Sequence, residues 1–119
     1  MPKAGKSSSP VIVRDEVLAR LGGDADFLEE LLDLYVSEFE KHATGLETAL
    51  ARKDFPSLRE IGHSLKGASA NLSLPSLRAA ALEAEQAGRD GDAPRGRAAL
   101  AALRKEFARF LAARKPPRA

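Results

Sequence analysis

Three times from residue 54 onward this chain sets a helix-capping side chain two positions before a proline: Asp54-Phe55-Pro56, Ser73-Leu74-Pro75 and Asp92-Ala93-Pro94. A capping side chain accepts a bond from a first-turn N–H that has no partner in the helix, and a proline in that turn gives up nothing it needed. Three such starts divide the region into helices near 55–72, 74–87 and 93–113. Upstream, Gly22-Gly23 signals the end of a short helix over about Val11 to Leu21. Asp24 is then placed to cap a long helix near 24–50, with Asp26, Glu29 and Glu30 where the helix dipole favours negative charge. Apolar residues recur along that helix at three- and four-residue steps: Phe27, Leu28, Leu31, Leu34, Tyr35, Phe39, Leu46 and Leu50. The last helix carries Leu100, Leu103, Phe107, Phe110 and Leu111 as its expected buried stripe.

No segment shows the alternation or β-branched enrichment of a strand. Only 5% of the 119 residues are aromatic while 44% are hydrophobic, so the core must be mainly Leu and Ala, which lose little on entering a helix. Long helices joined by short turns pack antiparallel. The expected fold is therefore all-α, an antiparallel four-helix bundle with a short extra N-terminal helix covering one end. The expected domain spans 11–113, between a flexible leader (1–10) and a flexible basic tail (114–119).

Several function classes are disfavoured by what is missing. Cysteine is absent, which removes disulfides and thiolate metal sites. No apolar run approaches the roughly 18 residues of a membrane span. The start, MPKAGKSSSP, has no apolar core of a signal peptide, so a cytoplasmic location is expected. The net charge is only +2, but Asp24 to Glu40 is acidic and the last third, from Arg89 to Arg118, is basic. That basic end reads as a solvated helix face; it lacks the stacking aromatics of a nucleic-acid binder.

The chain has two histidines. His42 falls in line with Leu31, Tyr35, Leu46 and Ala49 and reads as a core or boundary residue. His63 is different. On a wheel of about 100° per residue, Leu58, Ile61, Leu65, Ala68 and Leu72 form the buried sector and His63 lies about 175° from its centre. Its neighbours on that face are Arg59, Glu60, Lys66, Gly67 and Ala70. Glycine within a helix costs roughly 1 kcal/mol relative to alanine. Gly67, one turn beyond His63 on the outward face, thus marks a place where a side chain would crowd the imidazole. Gly62 bears the same cost, and close helix packing explains it better. An exposed neutral imidazole is a nucleophile near neutral pH. A phosphoryl group attached to it needs room, which Gly67 offers, and positive charge, which Lys66 offers from three residues away.

At this point the residues match a known pattern. "HSLKGASANLS", preceded by "LREIG", resembles the histidine-containing phosphotransfer (HPt) domain of bacterial multistep phosphorelays. "LGGDADFLEELLDLYVSEF" resembles that family's entry helices and "LRAAALEAEQAGRDGD" its next helix, so the likeness runs from Asp15 to Leu111. The resemblance implies a four-helix bundle in which His63 accepts the phosphoryl group beside Lys66 and Gly67. It implies receiver domains of response regulators or hybrid histidine kinases as partners, exchanging phosphate through an aspartate. The Mg²⁺ and most catalytic groups then belong to the receiver, so the chain is a monomeric carrier rather than an enzyme, with no cofactor, metal, nucleic acid or membrane of its own. The docking face is expected to centre on His63 and to take in Gly67, Ala70, Arg59 and Glu60. Two positions depart from the family. Gly62 stands where alanine is usual, and Ser73 stands where glycine is usual, with a Ser73 cap expected to restore the turn.

Other readings fit less well. Glu60 and His63 form the Glu-x-x-His pair of di-iron bundles, but no second pair exists and both face outward. There is no Gly-x-Ser-x-Gly nucleophile turn, P-loop or kinase motif set. The remaining alternative is a non-catalytic helical interaction module that kept the scaffold and lost the chemistry.

Overall fold

In the computed structural model the described residues are 10–114, so the expectations for the leader before 10 and the tail after 114 lie outside them. Five helices follow in order: α1 (Arg14–Arg20), α2 (Ala25–Arg52), α3 (Phe55–Asn71), α4 (Pro75–Asp90) and α5 (Ala93–Arg114). Among the described residues there is no strand. Helices α2 to α5 form the antiparallel bundle. Its register is visible in single contacts: Tyr35 of α2 bonds Ser69 of α3, His63 of α3 meets Glu85 of α4, and Arg114 of α5 returns to Glu29 of α2. Arg114, assigned on sequence grounds to the tail, is the last residue of α5 and is held by Glu29 and Asp33.

Two of the three turns use the chemistry read from the sequence. Asp54 accepts the N–H of Ser57, and Asp92 accepts that of Arg95. Each follows a left-handed residue that closes the helix before it, Lys53 at φ 55° and Gly91 at φ 66°. Asp24 likewise caps α2 through Phe27 N–H.

The third turn differs from expectation. Ser73 does not cap α4; the helix starts one residue later, at Pro75, with Leu74 at the cap position and no side-chain cap bond. Ser73 itself adopts φ 56°, the left-handed conformation that glycine takes without strain. This explains why glycine suits the position. The Ser73 hydroxyl is committed elsewhere: it donates to Glu16 at 2.6 Å and accepts from Arg20 at 2.8 Å. Arg20 also donates to Asn71 O, and Val13 N–H to Ser73 O. These bonds fasten α1 across the α3–α4 turn. They also account for its shorter length, because residues 11–13 are drawn out of helical geometry toward that turn, with Val11 and Ile12 packed on the core.

The core joins Leu28, Leu32, Tyr35, Phe39 and Leu46 to Leu58, Leu65, Leu74, Leu77, Leu103, Phe107 and Phe110. Two of the recurring apolar positions of α2, Phe27 and Leu34, and one residue of the expected α5 stripe, Leu111, are exposed. Leu32, absent from those recurring positions, is fully enclosed. The α2 pattern holds two overlapping apolar rows about 100° apart. Only the placement of α3 and α5 decides which row is covered.

Helices α3 and α4 approach most closely, across Gly62 and Gly88. A Cβ at Gly62 would stand 2.6 Å from Glu85 N and 3.1 Å from Ala81 O, and one at Gly88 would meet Arg59 N. Both obstacles are backbone and cannot turn aside. Gly88→Ala is therefore expected to lower the melting temperature. Overpacking of about 1–3 kcal/mol outweighs a helix-propensity gain of about 1 kcal/mol. Gly67→Ala, where a Cβ meets nothing within 4 Å, is expected to raise it. Thermal melts of the two variants moving in the same direction would contradict this packing.

Candidate functional site

The site is built where α3 crosses α4. His63 lies on the outer face of α3 with 68% of its side chain exposed. Because Gly62 has no side chain, the α4 backbone at Glu85 can press against α3 at the residue preceding His63. Glu85 then reaches across with both oxygens. Oε2 is 2.8 Å from His63 Nδ1, and Oε1 is 2.7 Å from the Lys66 ammonium. The Lys66 contact is an ion pair without aligned hydrogen-bond geometry, which leaves Oε1 with charge compensation but no directed donor.

The Lys66 ammonium, above all, holds the Glu85 carboxyl below its usual range; partial burial opposes this and the His63 contact adds to it. Glu85 is thus ionised at neutral pH and can only accept. Its partner Nδ1 must carry a proton, and in the neutral ring the lone pair then belongs to Nε2. The carboxylate is favoured by folding above the ordinary glutamate range. As pH falls through its lowered pKa it becomes neutral, and its hold on both Lys66 and His63 fades.

The structure brings together most of the face expected from the sequence. Arg59, Glu60, Gly67 and Ala70 are all exposed beside His63, and the space over Gly67 is open. Pro56, Arg59, Glu60, His63 and Glu85 line one shallow concavity. Arg59, Lys66, Glu85 and Arg89 line the next, together with Leu82 and Gln86. Lys66, expected to offer positive charge to a group on the ring, is paired with Glu85. Glu85 itself was not singled out by sequence. It lies one helix away, and "LEAEQAG" reads as ordinary helix surface. The usable signal was the pair Gly62 and Gly88, since two small residues on facing helices fix a crossing that sets Glu85 beside His63.

His42 is half-buried and lines an open, mostly apolar groove of about 490 Å³ between α1, α2 and α3, with Leu31, Leu34, Tyr35, Leu65 and Ala68 among its walls. Among the described residues no cluster of His, Asp and Glu is placed to hold a metal ion. No helix there is long and apolar enough to cross a membrane. The basic last helix faces acids: Arg104 pairs with Glu47 and Glu40, Arg95 with Glu83 and Asp90, Arg109 with Glu106.

The sequence matches the Hpt domain family over residues 30–113. Among solved structures it is similar to histidine-containing phosphotransfer protein B (HptB) from Pseudomonas aeruginosa PAO1. Identity is 33% and the TM-score 0.77, over 87% of this chain and 90% of that one. No curated protein sequence matches it.

Proposed function

This chain belongs to the Hpt domain family, carriers that relay phosphoryl groups in two-component signalling, and on that premise we propose that His63 takes a phosphoryl group on Nε2 from a receiver aspartate and passes it to another. One observation carries the assignment: an exposed imidazole whose Nδ1 is tied to an ionised carboxylate, leaving Nε2 toward solvent.

The chemistry balances without a base on this chain. The Nε2 lone pair attacks phosphorus of an aspartyl phosphate, the N–P bond forms, and the P–O bond breaks with its electrons leaving on the aspartate carboxylate. The ring keeps its Nδ1 proton throughout and becomes cationic, facing Glu85. Glu85 is a positioning residue: it holds the tautomer and turns the ring, and its charge faces the positive charge that develops. The receiver brings the aspartate and the Mg²⁺ that shields it. The return step, to a second receiver, is the same reaction reversed.

The receiver docks on the face around His63, over Gly67 and Ala70, with Arg59 and Glu60 at its edge. Beyond Gly67, around the helix, stand Ala68 and Asn71, which form the lip of the apolar groove. Leu34 on the far wall is 56% exposed. An apolar surface of this kind beside a reactive group suits a protein partner. The partners are receiver domains of response regulators or hybrid histidine kinases, and the exchange belongs in the cytoplasm with the carrier as a monomer.

The test is incubation with a panel of phosphorylated receivers, followed by mapping of the label. The expected product is an acid-labile, base-stable phosphoryl group on Nε2 of His63. No label from any receiver, or label on another residue, would overturn the proposal.

A further inference from the structure

We propose that Arg59, rather than Lys66, is the cation that binds the phosphoryl group once it sits on His63, an inference that rests on the carrier reading above. A phosphoryl group brings about −1.5 to −2 of charge. It would arrive next to Glu85, already ionised. Lys66 has a single positive charge, and Glu85 holds it at 2.7 Å. Arg89 is taken by Asp90 at 3.1 Å. Arg59 alone among the cations lining the two concavities has no ion-pair or hydrogen-bond partner among the described residues.

Its position is built rather than accidental. Arg59 precedes His63 by one turn, the spacing at which side chains on a helix meet. The α4 backbone at Gly88 packs directly against Arg59 N and Cα, so the root of the side chain is fixed. Its guanidinium is left to move over the concavity that it shares with His63 and Glu85. Of the two acids in that concavity, Glu60 flanks His63 from the opposite side of the wheel, and Glu85, on Arg59's own side, is already offset by Lys66, so Arg59 approaches the phosphoryl group from the side where the acid is paired. A guanidinium also offers paired N–H donors that match two phosphoryl oxygens, which an ammonium does not. The two cations therefore divide the work. Lys66 neutralises the carboxylate that orients the ring, and Arg59 neutralises the group that the ring carries.

Two readouts are taken: a titration in purified phosphorylated protein freed from the receiver, where docking plays no part, and the equilibrium share of label between carrier and receiver. The ³¹P resonance of the phosphohistidine is titrated with pH in wild type, Arg59→Ala, Arg59→Lys and Arg59→Ala/Glu85→Gln. In Arg59→Ala the phosphoryl titration is expected to move up by about half a pH unit, and the equilibrium share of label on His63 against the receiver to fall about fivefold, the upper end for an exposed ion pair. Arg59→Lys should recover part of both. Glu85→Gln keeps an acceptor for Nδ1 but releases Lys66, so the double variant should move back toward wild type. A wild-type titration curve in Arg59→Ala would overturn the role of Arg59. Failure of Glu85→Gln to restore it would overturn the division between the two cations. Absence of label on wild-type His63 would instead defeat the carrier reading.

Discussion

His63→Gln is expected to abolish phosphoryl acceptance from every receiver while leaving the fold intact. The side chain is 68% exposed and bonds Glu85 alone among the described residues, so its replacement opens no cavity. Surface changes of this sort usually shift stability by no more than about 0.5 kcal/mol. A glutamine amide can still donate to Glu85, which keeps the carboxylate and Lys66 in place. It has no nucleophilic nitrogen lone pair, so the N–P bond cannot form. Circular dichroism and melting temperature should match wild type, with label at background. Residual acid-labile label would point to another acceptor, and loss of helical signal would mean that His63 is structural after all.

Phe110→Ala is expected to cost about 3–5 kcal/mol, a large part of the roughly 5–15 kcal/mol that holds a domain of this size together. Phe110 is fully buried and meets the Tyr35 ring edge-on at 5.9 Å. Beside it, Phe107 stacks on Phe39 at 3.8 Å. Tyr35 passes the constraint on to α3 through a 2.7 Å bond to Ser69, and burial pushes its phenol up to about 12. With so few aromatic residues in the chain, no other side chain can fill the space. Urea denaturation should show a lower midpoint with little change in slope. A loss under about 1 kcal/mol would mean that this aromatic cluster is loosely packed.

Much of the fold was legible because its signals are local. An aspartate cap, a proline in the first turn and a glycine after the last act within four or five residues, so Asp24, Asp54, Asp92 and the Gly22-Gly23 stop could be read directly. Ser73 carried the same spacing as Asp54 and Asp92 yet behaves otherwise, because Arg20 and Glu16 claim its hydroxyl from a helix more than fifty residues upstream. The likeness to the HPt family gave His63 the role of phosphoryl acceptor, with Lys66 and Gly67 beside it, residues that the helical wheel had already placed together. It did not supply Glu85.

By itself, then, the sequence determined that the chain is helical, where most of its helices begin and end, and that the imidazole of residue 63 faces away from the apolar sector. Each of these follows from angles and hydrogen bonds inside a single helix or turn. The tertiary structure alone decided which of two leucine rows on α2 is buried, that Ser73 turns left-handed, and that Lys66 answers Glu85 while Arg59 has no ion-pair partner among the described residues. Those outcomes depend on how one helix is set against another. That setting comes from backbone contact at Gly62 and Gly88; the sequence shows both glycines, but only the packed helices bring them to one crossing.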